Sequence, residues 1–154
     1  MDTRQTLAAL LLLASSVGAR AQDAAACTPQ QGQGAQWLAP CQKASEKGDA
    51  HAALMVGIMY WDGDGVPRDH PTAARWFQTA DKGGEPRAAK VLGDWAFVRL
   101  TQAAKPEDAD RAILEEAIGW YQKALQVEPV PAARAQAQQR LEMLAHFKQQ
   151  LPPR

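Results

Sequence analysis

The chain has 154 residues, with 17 Lys and Arg against 17 Asp and Glu, 46% hydrophobic and 22% charged residues. A formal net charge of zero with no clustered Lys or Arg argues against a nucleic-acid partner, and no basic amphipathic helix marks a membrane-surface binder. After a leader is removed, the length suits one small domain.

The leader reads from the first residues. Met1 to Arg4 is a short basic n-region, Leu7 to Val17 is an apolar run too short to cross a bilayer, and Ala19-Arg20-Ala21 places small residues where a signal peptidase reads them. This predicts a signal peptide over 1–21, cleavage after Ala21 and export, to the periplasm or beyond the cell, with no membrane insertion afterwards. The alternative of a lipoprotein box fits less well, because Ala24-Ala25-Ala26-Cys27 stands well past the apolar run and lacks the leading Leu. Loss of Asp2, Arg4 and Arg20 with the leader shifts the remainder by a single negative charge. Two cysteines remain, Cys27 and Cys41. An even count in an exported chain is read as a disulfide, which would close a loop of about 15 residues and stabilise the fold by ~3 kcal/mol. Two free thiols are the alternative.

Residues 22–35 (QDAAACTPQQGQGA) are Gln- and Gly-rich without periodicity and read as a flexible lead-in. A short helix is expected over Trp37 to Lys47, with Pro40 in its first turn and Gly48 as its C-terminal cap. Ala50 to Trp61 is the first strong helix, with Ala53, Val56, Gly57 and Tyr60 on one face. A glycine there costs about 1 kcal/mol against alanine, so Gly57 predicts a second helix lying close against it. Asp62-Gly63-Asp64-Gly65-Val66-Pro67 breaks this helix. Asp69 is the expected N-cap of the next, with Pro71 in its first turn. That helix runs to Lys82 with Ala73, Trp76, Phe77 and Ala80 inward, and Gly83-Gly84 stops it.

The pattern then returns. A shift of 36 residues carries Gly48 to Gly84, Ala52 to Ala88, Ala53 to Ala89, Val56 to Leu92 and Gly57 to Gly93, so Pro86 to Ala103 repeats the helix at Ala50. A shift of 44 carries Ala73 to Ala117, Trp76 to Trp120, Phe77 to Tyr121 and Ala80 to Ala124. The difference falls in the connection Arg99 to Asp108, where solenoids tolerate insertions. Pro129-Val130-Pro131 ends the second pair, and Ala132 to Gln150, with Leu141, Leu144 and Phe147 among many Gln and Ala, suits a terminal cap with a polar outer face.

The string formed by Ala50, Ala52, Val56, Gly57, Tyr60, Gly63, Gly65, Val66, Asp69, Ala73, Trp76 and Ala80 resembles the Sel1-like repeat, a relative of the tetratricopeptide repeat. A second unit at 84–128 keeps Ala88, Leu92, Gly93, Ala117, Trp120, Tyr121, Lys123 and Ala124 but has neither the Tyr nor the glycine loop. Lys43, Ala44 and Gly48 sit in register as the end of an incomplete unit. The resemblance implies an all-α fold, a short right-handed solenoid of antiparallel helix pairs. Its units are a partial one over 36–48, a complete repeat over 48–84, a degenerate repeat over 84–128 and a capping helix over 130–150. It also implies a protein-binding scaffold that uses no cofactor. Within the family, immunity-type inhibition of a toxic effector such as a lipase is the specific expectation, and adaptor work in envelope or secretion-machinery assembly is the alternative.

The loop Asp62 to Gly65 fails as an EF-hand because Val66 and Ala73 stand where oxygen ligands are needed, so a turn is expected. His51, His70 and His146 share no metal spacing and are expected on solvated faces. Glu115 and Glu116 are adjacent and diverge by about 100° around a helix, which does not converge them on a substrate. A hydrolase built on the acidic loop is the competing class, and no catalytic residue is assigned. Trp76 and Trp120 fall at the packing position and are expected in the core. By the resemblance, first helices of each pair line the concave face. The stripe His51, Met55, Met59 and Asp62, with its shifted counterpart Arg87, Val91, Trp95 and Val98, is the expected partner-binding surface, carried by its Met and Trp side chains.

Overall fold

The computed structural model describes residues 27–29, 32–102 and 111–151. The expected leader over 1–21, residues 22–26 and 30–31 of the lead-in, the connection 103–110 and residues 152–154 lie outside the described residues. Helices follow one another as α1 (Gly34–Glu46), α2 (Ala50–Asp62), α3 (His70–Lys82), α4 (Ala88–Thr101), α5 (Arg111–Val127) and α6 (Pro131–Gln150), with no strand among the described residues. Each packs on the next, and the α2–α3 and α4–α5 interfaces are the most extensive. The fold is an all-α short solenoid of antiparallel helix pairs.

Local signals set the helix ends. Asp49 caps α2 by accepting from the Ala52 N–H at 3.0 Å. Asp69 caps α3 by accepting from both the Thr72 N–H at 3.0 Å and the Thr72 hydroxyl at 2.7 Å, and these bonds hold its carboxyl below the usual carboxylate range. Gly48 and Gly84 both adopt left-handed φ, +95° and +87°, and the N–H that follows each bonds back to Ala44 and Ala80. The shift of 36 is thus visible in the backbone. At the far end Glu128 is buried, accepts the Val130 N–H at 3.0 Å and offers its carbonyl to Arg134 at 2.7 Å, which fixes the entry to α6.

The core is three clusters in series. Cys27, Cys41, Ala44, Ala52, Val56 and Met59 fill the space between α1 and α2. Ala53, Leu54, Ala73, Phe77, Ala80, Ala88 and Leu92 join α2, α3 and α4. Ala89, Ala96, Leu100, Leu114, Ala117, Tyr121, Ala124, Ala137 and Leu144 join α4, α5 and α6. Trp76 touches the first two clusters and Trp120 the last two. Both indoles are half-buried at the seams, while Phe77 and Tyr121 are the enclosed rings. This corrects the expectation that the tryptophans form the core.

The close approach at Gly57 is present. A Cβ there would collide with the Phe77 ring, and at Gly93 it would come within 2.9 Å of Tyr121. The same helix crossing recurs in both pairs, with an aromatic ring of the second helix laid on a glycine of the first.

The N-terminal segment differs from expectation. Cys27 and Cys41 form a disulfide with Cα atoms 4.8 Å apart, both cysteines fully buried. α1 begins at Gly34, so Pro40 lies inside the helix rather than in its first turn. Gly32 to Ala35 are not a free lead-in. The Asp64 carboxylate accepts the Gly32 and Gly34 N–H groups, each at 3.0 Å, and so caps α1 from the α2–α3 loop. Gly34 lies against the Asp64 backbone and Gly65 against Ala35, where a Cβ on either glycine would collide. The two glycine-rich stretches interlock because both lack side chains at the contact.

Candidate partner-binding face

The expected stripe does not survive whole. Met59 is only 2% exposed and packs beside the disulfide in the first cluster. Its removal from the surface follows from the segment around Cys27 and Cys41 covering that side of α2. Met55 and Val91 are half-buried against the middle cluster. Asp62 is exposed, and Arg68 donates to its backbone carbonyl at 3.2 Å. Val98 is half-buried.

His51 and Arg87, at corresponding ends of α2 and α4, meet across Glu85. Arg87 Nε donates to Glu85 Oε1 at 2.9 Å, and His51 Nδ1 lies 3.2 Å from Glu85 Oε2 and 2.7 Å from Arg87 Nη2. A guanidinium can only donate, so the shorter contact makes His51 Nδ1 the acceptor. Burial works to raise the Glu85 carboxyl, but the Arg87 hydrogen bonds and charge hold it below the usual carboxylate range. This cluster ties one pair to the next at the edge of the face.

The centre of the face is aromatic. Trp95 meets Trp61 edge to face at 6.0 Å and His70 at 5.7 Å, while His70 stacks on Trp61 at 4.4 Å. The Arg99 guanidinium lies 5.9 Å from the Trp95 ring centre. His70 is therefore a packed member of this cluster, contrary to the expectation of a solvated face. Tyr60, Pro67, Arg68, His70, Pro71 and Trp95 border an open depression of about 600 Å³. Tyr60 and Asp69 are held together there by the Asp69 N–H bonding the Tyr60 carbonyl at 2.9 Å. His51 and His146 are exposed; His146 meets Gln150 at 2.9 Å.

The residues missed from the sequence are Tyr60, Pro67, Arg68, His70 and Pro71. The α2–α3 loop folds toward α4, and periodicity on single helices carries no signal for that. The acidic loop itself is occupied: both Asp64 oxygens serve α1. Among the described residues no three His, Cys, Asp or Glu side chains converge as a metal site. Glu116 pairs with Arg99 at 2.9 Å while Glu115 pairs with Lys148, so the two carboxylates serve different helices.

The family model described as Sel1 repeat matches residues 50–80 and 114–126. Over 51 residues the chain is 41% identical to the ERAD-associated E3 ubiquitin-protein ligase component HRD3A of Arabidopsis thaliana, a match that covers 32% of this chain and 8% of that protein. The crystal structure of a Sel1 repeat protein from Oxalobacter formigenes aligns with a TM-score of 0.47 and 20% identity, covering 70% of this chain and 49% of that one. The chain carries Sel1 repeats, a class of helical repeat that binds other proteins. The matched stretches fall on α2 with α3, and on α5.

Proposed function

We propose that this chain is an exported protein-binding module whose partner docks on the face of α4, centred on Trp95. The carrying observation is Trp95 itself, half-buried, edge-on to Trp61 and His70, and bordering an open depression. A large ring held by its neighbours loses little freedom on binding, which is the behaviour of interface hot spots. Export is supported by the apolar run Leu7 to Val17 and by a buried disulfide, which persists in oxidising compartments. Within this class, the repeat resemblance supports an immunity-type inhibitor of a toxic effector such as a lipase, with an assembly adaptor as the alternative.

The test uses the mature chain as bait for envelope proteins of its native host, followed by affinity measurement on the protein captured. Trp95→Glu should weaken that complex at least about tenfold while circular dichroism stays unchanged. Undiminished affinity would remove this face. Inhibition of a captured hydrolase favours the immunity reading, and capture of a non-enzymatic envelope component favours the adaptor.

A further inference from the structure

The second repeat departs from the first at three positions that share one side of the stack. The shifts of 36 and 44 residues set Lys90 on Leu54, Asp94 on Ile58 and Tyr121 on Phe77. In the first repeat Leu54 and Phe77 are core, and Ile58 packs against them. In the second, Lys90 Nζ bonds Asp94 Oδ2 at 2.8 Å and the Tyr121 hydroxyl donates to Asp94 Oδ1 at 2.7 Å. Three apolar positions have become one connected polar group. Helix stacking does not require that exchange, since the apolar trio of the first repeat already performs it.

This group borders a groove of about 430 Å³ between α4 and α6. Both Asp94 oxygens are engaged, and Lys90 is committed to one of them. The Arg140 guanidinium lies 4.2 Å from the centre of the Phe97 ring and forms no salt bridge among the described residues. Stacking uses the face of the guanidinium and leaves its N–H edge available. Gln136 and Gln139 add amide donors and acceptors on the adjoining turn of α6, and Met143, 48% exposed, forms an apolar wall with Val98. Two cations against one carboxylate give the groove a net positive charge.

We propose that this groove binds an acidic, extended segment of a partner protein, with one carboxylate seated on Arg140 and an aliphatic neighbour against Met143 and Val98. The inference builds on the protein-binding reading above and specifies the chemistry of the partner. A single planar fork matches a carboxylate, which it can grip through two parallel hydrogen bonds. A phosphorylated segment is the poorer fit, because phosphate-reading sites gather several uncommitted cations and Lys90 is already paired.

The experiment is an NMR titration of the isotopically labelled chain. The probe is the capped peptide Gly-Glu-Leu-Glu-Leu-Gly, compared with the same peptide carrying Gln for Glu and with one carrying phosphoserine. The Glu peptide should shift the Arg140 side-chain N–H and the Gln136 and Gln139 amides, and bind at least about tenfold tighter than the Gln peptide. Arg140→Gln should remove that preference, and Arg140→Lys, which keeps charge without the fork, should retain part of it. The shifts should also shrink with added salt. Equal binding of the Glu and Gln peptides, shifts confined to other surfaces, a preference for phosphoserine, or an Arg140→Gln variant that binds unchanged would each overturn the proposal. Should the captured partner lose affinity with Trp95→Glu but not with Arg140→Gln, the acidic groove falls while the binding module stands.

Discussion

Gly57 and Gly93 set the distance between the helices of each pair, and the rings laid on them are Phe77 and Tyr121. Gly57→Ala places a methyl group into the Phe77 ring and should cost about 1–3 kcal/mol by overpacking, read from denaturant unfolding. Gly93→Ala meets only the Tyr121 ring edge at 2.9 Å and should cost less. Gly57 was legible beforehand because a mid-helix glycine demands a reason. Met59 was not. Its spacing on α2 matches an outward stripe, and only the Cys27–Cys41 segment, distant in sequence and without periodicity, turns that side inward. Met59→Glu should therefore unfold the protein, seen as lost helicity by circular dichroism, whereas Trp95→Glu should leave the helices intact. Tyr121 gives a pH signature. Burial, with the Asp94 carboxylate and its hydrogen bond, raises the phenol above its ordinary value of about 10. A group raised on folding contributes stability that is whole below the unfolded value and is lost as pH climbs above it. Unfolding stability should then fall above about pH 10, and Tyr121→Phe should flatten that limb.

At the scale of elements, α1 depends on the loop that follows the next helix, α2. Asp64 supplies the cap that Gln33 does not, since Gln33 makes no side-chain cap bond. Asp64→Ala should destabilise the chain by about 1 kcal/mol and speed amide exchange at Gly34, measured by hydrogen exchange. The disulfide acts on the same element. A Cys27→Ser, Cys41→Ser double variant should lose about 3 kcal/mol on the chain-entropy account, and thiol titration of the parent protein should find no free thiol until it is reduced. The helices themselves were readable from glycine stops, Asp caps and the two register shifts, because those signals are local. The interlock of Gly32–Ala35 with Asp64 and Gly65 was not, since a low-complexity stretch carries no record of what it touches.

For the whole molecule, three core clusters in series join the helices into one stack. The surface of α4 separates two recesses: one beside Trp95 toward the α2–α3 loop, one beside Phe97 toward α6. Through the repeat register the sequence sets Trp95, Val91 and Val98 on one stripe of α4, and Trp95 borders the first recess. The register leaves out Arg140, because the polar exchange at Lys90, Asp94 and Tyr121 becomes meaningful only when α6 is laid across it. The proposed function rests on a binding face, so the most direct test maps that face. Hydrogen exchange on the chain, free and bound to its captured partner, should show new protection in the peptides spanning Tyr60 to Pro71 and Lys90 to Gln102. Protection confined to α3 and α5, with those segments unchanged, would contradict the account.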